Sequence, residues 1–338
     1  MTWRMGVVMK TAVQWWDRFQ VLLYLVAIAV GAVIGSAFPN IAPGLEASIE
    51  PVLVLLLFAT FLGVPLIEVG RAVRDVRFLG TVLIVNFIGV PLVVWGLSRF
   101  VADDRGLLVG VLLVLLTPCI DYVIVFTGLA GGASGKLLAA TPLLMLAQIL
   151  LLPVYLFLFA GEDALSVIDI APFAEAFLTL IVVPLIAAAV VQALARRHTF
   201  GHAVEEVMDA AMVPLMMATL AVVVGSQIAA VGSQVGTLVR VLPVYVVFAA
   251  IMVAVGRFAG VLAHLDAAST RAVMFSVATR NSLVVLPLAL ALPNSLSIAP
   301  LAVVAQTLVE LIVMVILVRL APLIARGPSP ANTDSIES

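Results

Sequence analysis

One cysteine, three charges and three amides, all set within apolar runs, are the residues of this chain best suited to chemistry. Cys119 stands in Thr117-Pro118-Cys119-Ile120-Asp121. Proline withholds a backbone donor and clashes with the preceding turn, so carbonyls near Pro118 are freed. A lone free cysteine usually packs as a small hydrophobe. One placed between a helix breaker and an acid is instead a soft ligand, suited to a thiophilic centre. A single thiol coordinates transiently, which fits a species that must later be released. A second polar break, Thr279-Arg280-Asn281-Ser282, follows almost half a chain later. Asn281 and Ser282 bring side-chain oxygens to freed backbone groups. Asp121 and Arg280 are the charges at the two breaks. A charge at membrane depth must pair or face water, so a mutual ion pair is expected, either pinning a crossing or serving function. Glu310, in Gln306-Thr307-Leu308-Val309-Glu310, has no Lys or Arg within helical reach, the nearest being Arg319. Such an acid can load and release a proton or hold a cation; the plainer reading is a structural glutamic acid bonded to a backbone carbonyl. Gln306 lies one turn earlier on the same face. Gln148 holds the matching place in the first half, and both amides are ligands or interhelical ties.

The elements that must position these residues are membrane helices. The chain is 64% hydrophobic and 11% charged, where a soluble domain carries about 25% charged residues. Ten segments have the length and apolarity of a span: 19–38, 51–69, 78–98, 106–130, 137–160, 172–194, 205–228, 238–262, 270–292 and 297–320. The connections are short and leave no room for a catalytic domain. Arg4, Lys10 and Arg18 precede an apolar run too long for a signal core, and Trp15 and Trp16 suit an interfacial anchor, so this run reads as the first span. Of the 17 Lys and Arg, only Arg99, Arg105 and Arg240 fall on the side opposite the N-terminus, and Arg280 falls within a span. The positive-inside rule then places both termini in the cytoplasm of a multi-pass cell (inner) membrane protein.

Ten spans divide into five and five, and an odd number per half inverts the second half relative to the first. The organisation expected is a cytoplasmic N-terminal segment (1–18), a first five-helix repeat (19–160), a second (161–322) and a disordered cytoplasmic tail (323–338). Internal echoes agree: Ala147-Gln148 with Ala305-Gln306, Pro65 with Pro214, and Pro91 with Pro243. The fold class expected is all-α integral membrane, with broken helices 4 and 9 crossing at mid-membrane. Lipid cannot satisfy an unwound backbone, so paired breaks point to a buried binding site of a secondary transporter. Asn86 in span 3 reads as packing, and Met212, Met216 and Met217 read as apolar filling. Gly31-x-x-x-Gly35 permits close helix contact. Gly128 to Lys136 fails the phosphate-loop pattern. One cysteine excludes an internal disulfide, and the three histidines lack metal-ligand spacing.

Taken together, these motifs resemble the bile acid/sodium symporter superfamily, and within it the arsenical-resistance permeases that export arsenite. Thr117-Pro118-Cys119 resembles their proline-cysteine motif in span 4, Leu308-Val309-Glu310 their Val-Glu motif in span 10, and Ala278 to Leu283 their broken span 9. The resemblance covers residues 18–322. Arg280, Ser282 and Asp121 depart from that pattern. It implies Cys119 as the substrate-linked thiol and Glu310 as the conserved acid. The function expected is arsenite export by proton antiport. Asn281, Ser282 and Gln306 assist Cys119 in binding, Glu310 and Asp121 are the coupling-ion candidates, and Thr117, Pro118 and Gln148 give support. A sodium-coupled organic-anion symporter on the same fold, with Arg280 as counter-ion, is the alternative. A non-transport receptor would not need two polar breaks and a buried acid, and no nucleophile–base pair or metal constellation marks an enzyme. The partners implied are a small-molecule or oxyanion substrate, a proton or sodium ion and the bilayer, with a homo-oligomer compatible. No cofactor and no nucleic acid is expected.

Overall fold

The computed structural model describes residues 2–63, 75–120, 122–160, 178–196 and 199–325. The chain runs α1 (Thr2–Ala37), α2 (Ala42–Gly63), α3 (Val76–Ile84), α4 (Val90–Ser98), α5 (Arg105–Leu115), α6 (Tyr122–Leu129), α7 (Ser134–Ala160), α8 (Val183–Ala195), α9 (Thr199–Leu238), α10 (Val241–Leu262), α11 (Ala267–Ala278), α12 (Ser282–Leu290) and α13 (Ala299–Ile324). No named strand occurs among the described residues. Five helical stretches there are long and apolar enough to cross a membrane: Val76–Val101, Ser134–Ala160, Thr199–Ser226, Gly236–Leu262 and Ala299–Ile324. Leu22–Ala37 and Pro39–Ile49 make a sixth if the pair, bent by 105°, is one span. Pro51–Gly63, Arg105–Leu115 and Val183–Ala195 are apolar but shorter. Leu92, Leu150, Phe157 and Phe258 lie exposed on the outside. So much apolar surface is what a multi-pass membrane protein presents to lipid. The residues expected to precede the first span already belong to α1, which starts at Thr2.

Local chemistry accounts for the starts and irregularities. Asp75, Asp104 and Asp266 each accept a backbone N–H three residues on, at 3.2, 3.0 and 2.6 Å, and so cap α3, α5 and α11. A π-helical turn, Val85–Gly89, joins α3 to α4. Pro91 follows it and cannot donate to the carbonyl of Phe87; the Tyr155 hydroxyl donates there instead. Residues Gly106 to Leu115 of α5 are all buried, as expected for a helix apolar on every side.

Two bundles result. Helices α1, α2, α8 and α9 pack on one another, and α3 to α7 with α10 to α13 form the second group. Each bundle draws on both halves of the chain. They meet where α12 touches α2 and where α9 touches α10 and α13. Helices α1 and α9 approach closely through Gly31 and Gly35: a β-carbon on Gly35 would lie 2.1 Å from the carbonyl oxygen of Gly225.

Candidate functional site

Four half-helices converge at the two breaks. α5 ends at Leu115 and α6 begins at Tyr122; α11 ends at Ala278 and α12 begins at Ser282. Each break opens on a threonine whose hydroxyl donates to the carbonyl four residues back, Thr117 to Leu113 at 2.9 Å and Thr279 to Phe275 at 2.8 Å. That back-bond competes with the helical ladder where the helix stops. The unwound segments then pair with each other. Pro118 and Arg280 form an antiparallel bridge. Asn281 N–H donates to Thr117 O at 2.9 Å, and Cys119 N–H to Thr279 O at 3.4 Å. Each break thus supplies backbone partners that lipid would deny the other.

Side chains from three further helices close around this crossing. Arg280 is fully buried. Its backbone N–H donates to Glu310 Oε2 at 2.7 Å. Its Nη2 reaches Asn86 Oδ1 at 3.0 Å, Ser276 O at 2.9 Å and Val277 O at 2.8 Å, and its Nη1 reaches Leu115 O at 3.4 Å. The guanidinium carbon lies 5.5 Å from the Phe248 ring centre, within cation–π range. Asn86 sits in the π-helical turn and donates to Ser276 Oγ at 3.0 Å and to Val82 O at 3.0 Å. π-helical turns often mark functional positions. On α13, Gln306 Nε2 donates to Glu310 Oε2, and Thr307 donates to Ser282 Oγ at 2.7 Å. Asn281 Oδ1 accepts Val284 N–H at 3.1 Å and starts α12. Asn281 Nδ2, Gln306 Oε1 and Gln148 Oε1 are buried without a hydrogen-bond partner. Such atoms call for an explanation.

The structure therefore gathers Thr117, Pro118, Cys119, Arg280, Asn281, Ser282, Gln306 and Glu310 at one place. Gln148 is buried on α7. Asp121, and with it the expected pair with Arg280, lies outside the described residues. Asn86, read from sequence as packing, is a direct partner of the Arg280 guanidinium, and Ser276 and Thr307 join the same network. Asn86 stands five residues before a mid-span proline in an apolar run, which is the signal that could have found it.

Charges outside the membrane tie the helix ends together. Lys136 Nζ lies 2.7 Å from Asp75 Oδ2 and 3.8 Å from Asp266 Oδ2, and donates to Ser269 Oγ at 3.0 Å. The Lys136 hydrogen bond, then the Phe78 N–H, hold Asp75 below the usual carboxylate range. The Ser269 N–H does the same, first of several causes, for Asp266. At the opposite loops Arg240 engages both carboxylate oxygens of Asp103, at 2.7 and 2.8 Å.

The family model of the Sodium Bile acid symporter family matches residues 50–236, more than half of the chain. The chain belongs to that family. No curated protein matches it. As a Sodium Bile acid symporter family member, the protein is a multi-pass membrane transporter of a small solute. The matched stretch includes the first break, at Thr117 to Asp121, and ends before the second. The hydrogen-bonded crossing places the second break beside it.

Proposed function

We propose that this protein exports arsenite, as neutral arsenous acid, from the cytoplasm in exchange for protons. The supporting observation is the crossing itself, where Cys119 lies on one unwound segment and Asn281 on the other, the two hydrogen-bonded together, with Ser282 opening α12 beside them. The Cys119 thiol is the soft ligand for arsenic. Asn281 Nδ2 and Gln306 Oε1 are the donor and acceptor for its hydroxyl groups, and Ser282 adds an oxygen. The architecture proposed is ten spans in two inverted repeats, 19–160 and 161–322, with both termini in the cytoplasm. Asp121 is proposed as the carboxylate partner of Arg280 at the crossing.

An uncharged solute gains nothing from the membrane potential, so its export against a gradient needs a countermoving ion. Glu310 is the proton site in this reading. As a carboxylate it accepts from the Arg280 backbone N–H and the Gln306 amide. Protonation removes its negative charge and weakens both bonds, because charge-assisted hydrogen bonds are about twice as strong as neutral ones. The break and the Gln306 amide are then loosened together, and substrate leaves the outward-facing state.

The alternative is sodium-coupled uptake of an organic anion, with Arg280 as the counter-ion. The carbonyls of Leu115, Ser276 and Val277 already engage that guanidinium, which leaves it poorly disposed to take an anion as well. Everted membrane vesicles decide between the two. An inward-acid pH gradient should drive arsenite into them without sodium; sodium-dependent uptake and indifference to the pH gradient would reject proton antiport.

A further inference from the structure

The acceptors around Arg280 form an oxygen cage of a composition usually met at an alkali-cation site. Nη2 carries two protons, yet three oxygens stand 2.8–3.0 Å from it: Asn86 Oδ1, Ser276 O and Val277 O. Leu115 O reaches the other terminal nitrogen. Leu115 is the last residue of α5, and Ser276 and Val277 lie in the last turn of α11. Both half-helices therefore aim the negative ends of their dipoles at one point. Carbonyl and amide oxygens are the donors that hard cations prefer. Half-helix C-termini and unwound carbonyls are the groups that hold coupling cations in broken-helix transporters. Asn86, Ser276 and Arg280 are buried, so the cage is held within the protein.

We propose that this cage is a monovalent-cation site and that the Arg280 guanidinium is its permanent, tethered occupant, which makes the crossing independent of free sodium. A guanidinium suits the part because it stays charged and is less strongly hydrated than an ammonium. The tether holds a positive charge at the two helix ends through every step of a transport cycle, where a free ion would have to bind and leave. Removing the side chain exposes, among the described residues, four oxygens and two helix C-termini to one buried space, and a small cation then becomes the best available partner.

The test reads stability rather than transport, so it stands apart from the arsenite reading and fails separately from it. Purified full-length protein is unfolded thermally in sodium chloride and in choline chloride at equal ionic strength. The wild type should show the same midpoint in both. Arg280→Ala should be less stable in choline and should gain several degrees, saturably, as sodium replaces choline, because a ligand that binds only the folded state stabilises it. Arg280→Gln, which keeps chain length while removing charge, should gain in the same direction. Asn86→Leu added to Arg280→Ala should abolish the gain by deleting one cage oxygen. Folded Arg280 variants indifferent to sodium would overturn the proposal. Failure to recover either variant even in high sodium would also overturn it, since sodium is expected to restore the cage. A wild-type sodium response that disappears in Asn86→Leu would show the cage taking free sodium with Arg280 in place, and is equally fatal.

Discussion

At the scale of single residues, the crossing joins groups from distant parts of the chain: Asn281 N–H to Thr117 O, Arg280 N–H to Glu310 and the Arg280 guanidinium to Asn86. Cys119 is buried and its backbone N–H is held against Thr279 O, within the paired unwound segments. Serine in its place keeps the size and the backbone bond but replaces a soft ligand with a hard one. Cys119→Ser should therefore leave protein in the membrane and cut arsenite uptake by everted vesicles roughly tenfold or more, equivalent to about 1.4 kcal/mol of lost binding. Wild-type uptake by that variant would move the substrate away from Cys119. The sequence exposed this residue because a polar break in an apolar run has a high cost and stands out. It concealed Asn86 and Ser276, since one amide or hydroxyl within a helix can satisfy itself on its own turn. Their partnership spans 190 residues of sequence, and no local pattern carries that distance.

At the scale of elements, Thr117 and Thr279 end α5 and α11, and Asp104 and Asp266 begin them, and both signals are local enough to read from the sequence. Which helices become neighbours is not local. Helices from both halves sort into each of the two bundles, and apolar periodicity says only that a face is buried, not by what. The caps of α3 and α11 acquire a shared tether in Lys136, from the first turn of α7. Its effect has a definite pH sign. Asp75 and Asp266 are depressed in the folded protein, so their contribution is present above the unfolded carboxylate range and is lost as pH falls through the folded values. Lys136→Met should be less stable than wild type by about 0.2–1 kcal/mol near neutrality, as expected for partly exposed pairs. The gap should close as pH falls from the unfolded carboxylate range of about 4 through the depressed folded values, where the carboxylates take up protons. Thermal midpoints of both proteins across that range measure it; a gap that widened in acid would mean the depression of Asp75 and Asp266 does not arise from this tether.

At the scale of the whole molecule, the crossing belongs to the larger bundle, while α12 also touches α2 of the other bundle. Glu310 connects these levels. It lies on α13, which packs on α5, α10 and α12 within its own bundle and meets α9 across the seam. Its carboxylate holds the backbone of the second break through Arg280 N–H. In the proton-antiport reading, a proton arriving there would alter the break from which α12 starts, and α12 would carry that change to the seam with α2. Glutamine at 310 keeps the shape and mimics the neutral state permanently, so it separates binding from coupling. Glu310→Gln should bind arsenite more weakly than the wild type, as the neutral state does in this reading, equilibrate it across the membrane, and fail to concentrate it in everted vesicles under a pH gradient. Arsenite exchange between equal concentrations on the two sides should persist in this variant, because exchange needs the two-state motion but no net proton movement. Wild-type accumulation by Glu310→Gln would remove the proton from this residue. Loss of both accumulation and exchange would place Glu310 in the structural support of the crossing, with the Arg280 N–H as the group it must satisfy.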